Sequence, residues 1–326
     1  MNSSNRTGKC RSARSPYASA GRRSARAGRS YVAGGAALAA LALTFATAPA
    51  PASAAPPSAS TATATAGEAY VALGDSMASG PLIPLPTGPL ACGRSTNNYP
   101  HELAGRLDVA ALRDVTCSGA DTKDMFEPQK LSLGGIPMGE APPQLNALSA
   151  GTTLVTLTIG GNDAGLVGIA QSCMTVDPNA TPCKEKYTEG GVDQVAQRVD
   201  AVAPKVAAVL DAIRAKAPKA RILVAGYGLY IKPGGCFPYQ PVLNVDADYL
   251  QANVNRLNGV LAAQSAAHGA EYIDLAGPSK GHDACQAPSA KWVEGYVPTA
   301  PAAPLHPNQA GEENYARIIA AHLTGG

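Results

Sequence analysis

The triplet Gly74-Asp75-Ser76 places a hydroxyl group directly after an apolar run at residues 69–73. A serine nucleophile needs an exposed Oγ on a tight turn between a strand and a loop, and glycine permits such a turn. The backbone N–H of that serine can also point at an oxyanion as negative charge develops. Because glycine, aspartate and serine are also common in ordinary turns, the triplet alone is a weak signal.

Two further motifs could supply hydrogen-bond donors to the same oxyanion. Gly119, within residues 116–120, could bring a backbone N–H close to a ligand, and the side-chain amide of Asn162 could donate a hydrogen bond. Each residue also has a purely structural interpretation. The chain geometry alone can require Gly119, and Asn162 or Asp163 can cap a helix.

A general base must accompany such a nucleophile, and two of the five histidines fall in predicted loops. These are His282 and His306, whereas the other three lie within predicted helices or at their ends. His306 is followed by Pro307 at the start of a predicted helix. We favour His306 as the base, because the proline stiffens the turn that would present its imidazole.

Alternating strand and helix patterns position these motifs. Apolar and β-branched runs predict strands at residues 69–73, 114–117, 153–159, 221–225 and 270–274. Apolar residues spaced three or four apart predict helices at residues 98–107, 192–216, 248–267 and 308–323. Pro204 should kink or break the second of these helices. The alternation predicts an α/β domain with a parallel sheet covered on both faces, in which sites gather at the carboxyl ends of the strands.

The first 54 residues are typical of a secretory signal peptide. They contain a basic stretch, an apolar run from Tyr31 to about Pro49, and the small-residue pattern Ala52-Ser53-Ala54. A membrane anchor is less favoured, because the run is rich in Ala, Gly and Thr and ends in proline-rich sequence. Residues 55–67 lack bulky apolar groups and predict a flexible linker, which leaves residues 68–326 as the globular domain. We therefore expect a secreted protein with no transmembrane segment in its mature part.

Charge and cysteine content argue against two other kinds of site. Removing residues 1–54 takes away eight of the 26 basic residues and none of the 24 acidic ones, which leaves a net charge of −6. No stripe of Lys and Arg remains that could hold nucleic-acid phosphates. The six remaining cysteines lack the Cys-x-x-Cys spacing of zinc sites, and in an exported chain they indicate three disulfides. The residues alone leave every pairing open, and the sequential pairing is the simplest.

Taken in this order, the four motifs resemble the conserved blocks of the SGNH (GDSL-type) hydrolases. That family is named for a Ser, a Gly, an Asn and a His, which correspond here to Ser76, Gly119, Asn162 and His306. The resemblance extends from about residue 70 to residue 320. It implies a flavodoxin-like, three-layer α/β/α sandwich with a central parallel sheet, and hydrolysis of esters without a metal or other cofactor. It further implies an oxyanion hole formed by the two N–H groups and the Asn amide.

The cysteine layout resembles one branch of that family, the secreted lipases and esterases of actinomycetes. Members of this branch carry three disulfides that pair sequentially along the chain. The resemblance therefore implies the pairs Cys92–Cys117, Cys173–Cys183 and Cys236–Cys285.

One position departs from the family pattern. Many members have an Asp three residues before the His, whereas this chain has Ala303 there. A backbone carbonyl, for which we expect that of Ala303, could accept the Nδ1–H of His306 and hold the imidazole in place. The alternative is a carboxylate from elsewhere in the chain, namely Asp274, Asp283 or Glu294.

Apolar residues near two of the motifs favour fatty-acyl esters over acetylated sugars as substrates. Residues 81–86 follow the nucleophile, and Leu166, Val167 and Ile169 follow Asn162. The single Trp and three Phe argue weakly against the aromatic platforms of sugar sites. These apolar residues can equally pack beneath loops. We expect a small-molecule or lipid ester as the substrate, and a monomeric protein.

Two other functions would use the same residues. An acyltransferase would pass the acyl group to an alcohol instead of water, and a non-catalytic binding protein would have kept the fold without the activity. The missing Asp is the only feature that supports the second of these. In every case we expect Asp75 and Asp163 to brace the loops around the site rather than to take part in catalysis.

Overall fold

A computed structural model of the chain describes residues 69–325. The predicted signal peptide at residues 1–54 and the predicted linker at residues 55–67 lie outside the described residues. Within the described part, no helix is both long enough and apolar enough to cross a membrane.

The secondary structure alternates between strands and helices along most of the chain. The strands are β1 (Ala69–Gly74), β2 (Ala111–Asp114), β3 (Gln129–Leu133), β4 (Ile136–Ala141), β5 (Leu154–Thr158), β6 (Arg221–Ala225) and β7 (Glu271–Ile273). The α-helices are α1 (Ser76–Ser79), α2 (Tyr99–Leu107), α3 (Gly161–Ala164), α4 (Leu166–Ser172), α5 (Cys183–Tyr187), α6 (Gln194–Asp200), α7 (Ala203–Lys216), α8 (Asn244–Ala267) and α9 (Gln309–Thr324). Short 3₁₀ turns lie at Leu90–Cys92, Thr122–Met125, Gln144–Ala147, Glu189–Gly191 and Pro288–Ala290.

Five of the strands form one parallel sheet in the order β2-β1-β5-β6-β7. The central strand β5 is buried along its whole length, as expected for a parallel strand covered on both faces. Because all five strands run in the same direction, their carboxyl ends lie at one edge of the sheet. The segments that follow β1, β2 and β5 carry three of the four motifs.

Helices cover both faces of this sheet. On one face, Val206 of α7 and Leu257 of α8 belong to an apolar cluster with Leu73 of β1. On the other face, Leu103 of α2 and Tyr315 of α9 belong to a second buried cluster. The arrangement is a three-layer α/β/α sandwich, which confirms the fold class predicted from the sequence.

Three predicted elements differ from the structure by more than one residue at an end. β2 ends at Asp114, whereas the sequence predicts a strand over residues 114–117. The carboxylate of Asp114 accepts a hydrogen bond from the Thr116 N–H at 2.9 Å. The chain still lies beside β1 there, because the N–H groups of Val115 and Cys117 donate to the oxygens of Ala72 and Gly74, both at 3.0 Å. The helix predicted at 192–216 is split into α6 and α7, with Pro204 in the first turn of α7. α8 begins at Asn244, before the predicted residue 248.

The β3–β4 hairpin was not predicted. Its turn is Gly134-Gly135, and both glycines have positive φ, as a two-residue hairpin turn requires. A Gly-Gly pair between two extended runs is a recognised hairpin signal. The exposed residues of both strands obscured that signal, because they break the alternation of apolar and polar side chains.

The three disulfides pair sequentially, as the family resemblance implies. They join Cys92 to Cys117, Cys173 to Cys183, and Cys236 to Cys285. The first ties the long segment after α1 to the segment after β2, so it links two of the motif-bearing loops.

Gly311 in α9 should be intolerant of a side chain. A Cβ added there would lie 2.1 Å from the backbone oxygen of Trp292, which cannot move aside as a flexible side chain would. We expect Gly311→Ala to lower the free energy of unfolding by about 2 kcal/mol or more, as overpacking of a core does. Urea unfolding followed by circular dichroism measures this change.

Gly259 in α8 is the matched control, because it is a helical glycine with no heavy atom within 4 Å of an added Cβ. Gly259→Ala should raise the free energy of unfolding by about 0.5–1 kcal/mol, since alanine loses less conformational entropy in a helix. Equal effects of the two substitutions would contradict the packing described for α9.

Candidate active site

The end of β1 fixes the position of Ser76. Gly74 has φ +150°, and a Cβ there would lie 2.7 Å from the backbone oxygen of Thr158 in β5. The Gln144 side chain bonds both polar groups of Gly74, accepting from its N–H at 2.7 Å and donating to its oxygen at 2.9 Å. Only glycine allows this approach of β1 to β5, so the strand ends sharply and Ser76 begins α1.

Asp75 braces the turn from beneath. One carboxylate oxygen caps α1 by accepting from the Met77 N–H at 2.8 Å, and the other accepts from the hydroxyl of Tyr227 at 2.6 Å. The same hydroxyl accepts from the Gly161 N–H at 2.8 Å, beside Asn162. Burial raises the pKa of Asp75 to about 7, against the opposing effect of these hydrogen bonds.

Tyr227 was not among the predicted site residues. Its hydroxyl joins the loop of the nucleophile to the loop after β5, and its side chain is buried. Its position in the sequence could have indicated this role, because Tyr227 lies two residues beyond β6, at the same edge of the sheet as the motifs.

His306 lies beside Ser76, although 230 positions separate them in the chain. Its Nε2 is 2.7 Å from the Ser76 Oγ, and its Nδ1 is 2.7 Å from the backbone oxygen of Pro304. The carbonyl oxygen can only accept, so Nδ1 carries the proton and Nε2 is left free to accept one from the serine. Burial lowers the pKa of His306 below its ordinary value of 6.5, and the Pro304 oxygen partly opposes that effect.

The carbonyl that contacts the imidazole is that of Pro304, so the predicted residue, Ala303, is wrong by one position. The oxygen of Ala303 instead accepts from the backbone N–H of His306 at 3.2 Å. Leu305, which lies between Pro304 and His306, has φ +63°, a left-handed conformation that is uncommon for leucine. This tight turn brings the oxygen of residue 304, rather than that of 303, to the imidazole.

The three carboxylates considered as alternatives bind elsewhere. Asp274 accepts from backbone N–H groups of the turn that follows it, and Asp283 accepts from the Cys285 N–H. Glu294 is fully buried and accepts from Thr299 and Asn308. Within residues 69–325, none of these carboxylates hydrogen-bonds the imidazole of His306.

His282, the other candidate base, does not face the nucleophile. Its Nδ1 lies 2.7 Å from the backbone oxygen of Ala290, and its ring stacks on Trp292 at a centroid distance of 4.1 Å. These contacts give it a packing role in the segment that leads to His306.

The three predicted oxyanion donors lie on segments that follow β1, β2 and β5, and hydrogen bonds tie these segments together. Asn162 donates one amide hydrogen to the Ala120 oxygen at 2.8 Å, which holds the loop after β5 against the loop after β2. The Cys117 N–H donates to the Gly74 oxygen at 3.0 Å and ties that second loop to β1. Among the described residues, no acceptor engages the N–H of Ser76, the N–H of Gly119 or the second amide hydrogen of Asn162.

Asp163 points away from this group. Its carboxylate accepts from the Thr122 N–H at 3.0 Å and from the Thr122 hydroxyl at 2.6 Å, and Lys205 lies 3.1 Å away. These contacts fix the loop after β5 to the segment after β2. In the part of the chain that the structure describes, no group of His, Cys, Asp and Glu residues is arranged to hold a metal ion.

An apolar cavity opens beside Ser76 and His306. Its walls come mainly from α4 and α8 and from the segment between β6 and α8, and they include Leu166, Val167, Val242, Leu250 and Val254. Leu166 and Val167, which the sequence analysis associates with an acyl chain, therefore line a cavity together with Ser76 and His306. Ile169, in contrast, is buried in a neighbouring cluster, and residues 82–84 and 86 line a second groove with Gly119.

Comparison with known proteins identifies the family of this chain. The chain matches the profile of the GDSL-like Lipase/Acylhydrolase family over residues 72–313. It is 37% identical to Lipase 2 of Streptomyces coelicolor over 257 residues, which cover 76% of this chain and 83% of that protein. It is 32% identical to Lipase 1 of the same organism over 250 residues, which cover 72% of this chain and 81% of that protein.

Two solved structures share the fold. Phospholipase A1 from Streptomyces albidoflavus NA297 has a TM-score of 0.65 at 28% identity, with 80% of this chain and 100% of that chain covered. An extracellular lipase from Streptomyces rimosus has a TM-score of 0.60 at 27% identity, with 78% and 98% covered. With the family profile matched over most of its length, the chain belongs to the GDSL-like lipase/acylhydrolase family and is a carboxylic ester hydrolase.

Proposed function

We propose that the protein hydrolyses fatty-acyl esters through an acyl-enzyme at Ser76, with His306 as the general base. The observation that carries this proposal is the 2.7 Å contact between the His306 Nε2 and the Ser76 Oγ. The Pro304 oxygen holds the tautomer in which Nε2 can accept a proton. Nucleophile and base are thus within hydrogen-bond reach, and the base is oriented by a third group.

In the first half of the reaction, Ser76 Oγ attacks the ester carbonyl carbon while His306 takes the hydroxyl proton. The carbonyl oxygen becomes an oxyanion, which the N–H groups of Ser76 and Gly119 and the amide of Asn162 stabilise. Each such donor is typically worth about 3 kcal/mol of activation free energy. The tetrahedral intermediate then collapses, and His306 returns its proton to the departing alcohol as the carbon–oxygen bond breaks.

In the second half, water replaces the alcohol. His306 takes a proton from the water, whose oxygen attacks the acyl carbon of the Ser76 ester. The same donors stabilise the second oxyanion, and collapse returns the proton to the Ser76 Oγ and releases the carboxylic acid.

The Pro304 carbonyl takes the position that a carboxylate occupies in most serine triads. It holds the imidazole orientation and tautomer, but a neutral dipole stabilises the imidazolium less than a negative charge would. Burial of His306 disfavours the imidazolium, and the Pro304 oxygen offsets that effect only in part. A larger share of transition-state stabilisation therefore falls on the oxyanion hole.

The apolar cavity supports a fatty acyl group as the part of the substrate that it binds. Its walls are aliphatic side chains such as Leu166, Leu250 and Val254, which gain free energy by removing hydrocarbon from water. The relatives named lipase and phospholipase A1 support the same substrate class. The contact between the base and the nucleophile speaks against a non-catalytic binding protein, and no observation favours acyl transfer to an alcohol over hydrolysis.

We also propose that the protein acts outside the cell as a monomer. The signal-peptide pattern at residues 1–54 and the three disulfides support export, because disulfides persist in oxidising compartments. The related lipase from Streptomyces rimosus is described as extracellular.

A ladder of p-nitrophenyl esters, from acetate to palmitate, tests the proposed reaction. We expect activity that peaks at medium or long acyl chains, because these fill the apolar cavity. Ser76→Ala should lower kcat by about 10⁴-fold or more, since it removes the nucleophile. Mass spectrometry of the protein trapped with a fluorophosphonate locates the modified residue.

Ser79→Ala is the matched control, because Ser79 lies in the same helix and its hydroxyl bonds to Ser118 rather than to His306. This variant should keep its activity. Equal inactivity of the wild type and Ser76→Ala on every ester would sink the proposal. Transfer of most acyl groups to added glycerol would establish an acyltransferase instead.

The pH profile of kcat/KM should report the His306 imidazole. Only the neutral ring can accept the Ser76 proton, so activity is lost as the pH falls through the pKa of His306. Because burial lowers this pKa, the midpoint of the acid limb should lie below 6.5. The measurement uses a soluble ester and a series of overlapping buffers.

Asp75→Asn provides the control for that profile, because Asp75 is the other buried group nearby and its pKa is about 7. Asparagine also caps helices well, so α1 should persist. The acid limb should remain in this variant. A wild-type midpoint above 6.5 that disappears in Asp75→Asn would assign the limb to the Asp75 carboxyl group.

A larger side chain in the cavity should shorten the preferred acyl chain. Val254 of α8 lines the cavity, and Val254→Phe should lower kcat/KM for long-chain esters by about tenfold or more while sparing acetate. Val245 lies in the same helix and is exposed, so Val245→Phe is the control and should leave the chain-length profile unchanged. Identical profiles for all three proteins would place the acyl chain elsewhere.

A further inference from the structure

Six aliphatic or thioether side chains are exposed on two segments that the Cys92–Cys117 cluster joins. Their exposed fractions run from 42% to 71%, and they come from the segment after α1 and from the β3–β4 hairpin. We call this set the apolar rim, and its members are Leu82, Leu85, Leu90, Leu133, Ile136 and Met138.

Part of the rim borders a groove that contains one of the proposed oxyanion donors. Leu82, Leu90 and Leu133 line this groove, and its wall also contains Ser118 and Gly119. The backbone N–H of Gly119 has no acceptor among the described residues and belongs to the proposed oxyanion hole. The rim therefore adjoins the loop that carries one of the proposed oxyanion donors.

The elements that carry the rim are held firmly from below. A small buried cluster joins them, and it consists of the Cys92–Cys117 disulfide with Leu131 of β3 and Ala141 of β4. The hydroxyl of Ser95 donates to the Pro84 oxygen at 2.7 Å and fixes the segment between Leu82 and Leu85. The exposed leucines thus project from a braced support.

Two of the rim leucines are also held in an unfavourable backbone conformation. Leu82 and Leu85 both have φ +66°, in the left-handed region where side chains other than those of Gly, Asn and Asp are rare. Asparagine would fit this backbone better and would suit exposure to water. Leucine at these positions therefore strains the backbone and also exposes apolar surface to water. Neither side chain is buried against the described part of the chain, so no packing offsets this cost.

We propose that the apolar rim docks the enzyme on the surface of its aggregated lipid substrate, a zwitterionic or neutral bilayer. This inference rests on the proposed function, because esters with long acyl chains are presented to a soluble enzyme at such a surface. Docking buries the rim side chains in the acyl region. It also places the groove, with Gly119 in its wall, against the layer in which the ester groups lie.

The charges around the groove favour a surface without net charge. Arg94, Lys123 and Lys130 lie on its walls together with Asp124 and Glu127. Arg94 is paired with Asp114 at 3.6 Å and Lys123 with Asp121 at 2.8 Å. This mixture supplies no positive field for an anionic membrane. The contact is therefore carried by apolar area, and salt should affect it little.

Vesicles of a diether phosphatidylcholine test the docking directly, because their ether bonds cannot be cleaved by an esterase. We expect the wild-type protein to sediment with them. Leu82→Asn/Leu85→Asn/Ile136→Thr should lower the partition coefficient by about tenfold or more. The variant lacks three apolar side chains that docking would bury in the bilayer. The two asparagines suit positive φ, and threonine keeps the β-branch in β4, so this variant should fold.

The matched control replaces three exposed valines outside the rim, as Val176→Thr/Val192→Thr/Val245→Thr. It should bind vesicles as the wild type does. On a soluble short-chain ester, the wild type, the rim variant and the control should have the same kcat/KM. On an emulsified long-chain ester, the hydrolysis rate of the rim variant alone should fall by about tenfold.

Three results would overturn the docking proposal. These are absence of vesicle binding by the wild type, equal binding by the wild type and the rim variant, and a dimer of the wild type that sedimentation velocity finds disrupted in the rim variant. The last result would make the rim an interface between two copies of the chain. Vesicle binding that depends on the rim, with no cleavage of any ester, would support docking and refute the proposed hydrolysis.

Discussion

The 2.7 Å contact between Ser76 and His306 is the constraint that the rest of the structure serves. The two side chains come from opposite ends of the domain and must meet within hydrogen-bond distance in a nearly buried position. The parallel sheet positions the serine, because Ser76 follows β1 at the same edge where the segments after β2 and β5 begin. His306 lies in the segment before α9, which does not directly follow a strand of the sheet and must be positioned in another way.

That segment is fixed by a buried polar network in place of a sheet. Glu294 and Lys291 are both fully buried and lie 3.9 Å apart, and Lys291 also reaches the Thr299 hydroxyl at 3.2 Å. Glu294 accepts from the Asn308 amide at 2.8 Å, and its N–H donates to the His306 oxygen at 2.9 Å. Because removal of one member would leave a buried charge uncompensated, the network resists rearrangement on both sides of His306. A carbonyl can orient the imidazole here only because the backbone that carries that carbonyl is held so tightly.

The sequence predicts elements and motifs well where a local pattern determines them. The bounds of β6 were predicted to the residue, and Pro204 correctly indicated the break between α6 and α7. Local pattern fails where a single backbone conformation or a distant contact decides. The Pro304 carbonyl contacts the imidazole in place of that of Ala303 because Leu305 is left-handed, which composition does not reveal. Tyr227 was missed because its role depends on two partners, Asp75 and Gly161, that lie far from it in the chain.

The two apolar stretches singled out in the sequence have separate places in the structure. Residues 166 and 167 line the cavity beside the catalytic pair, whereas residues 82–84 and 86 line the groove on the side of Gly119. In the proposed function, these two hydrocarbon surfaces serve two different needs. The enclosed cavity would remove one acyl chain from water, while the open rim would contact many lipid molecules without binding any one of them. The backbone strain at Leu82 and Leu85 argues for the second need, because packing under a loop would neither leave these side chains exposed nor require leucine at positive φ.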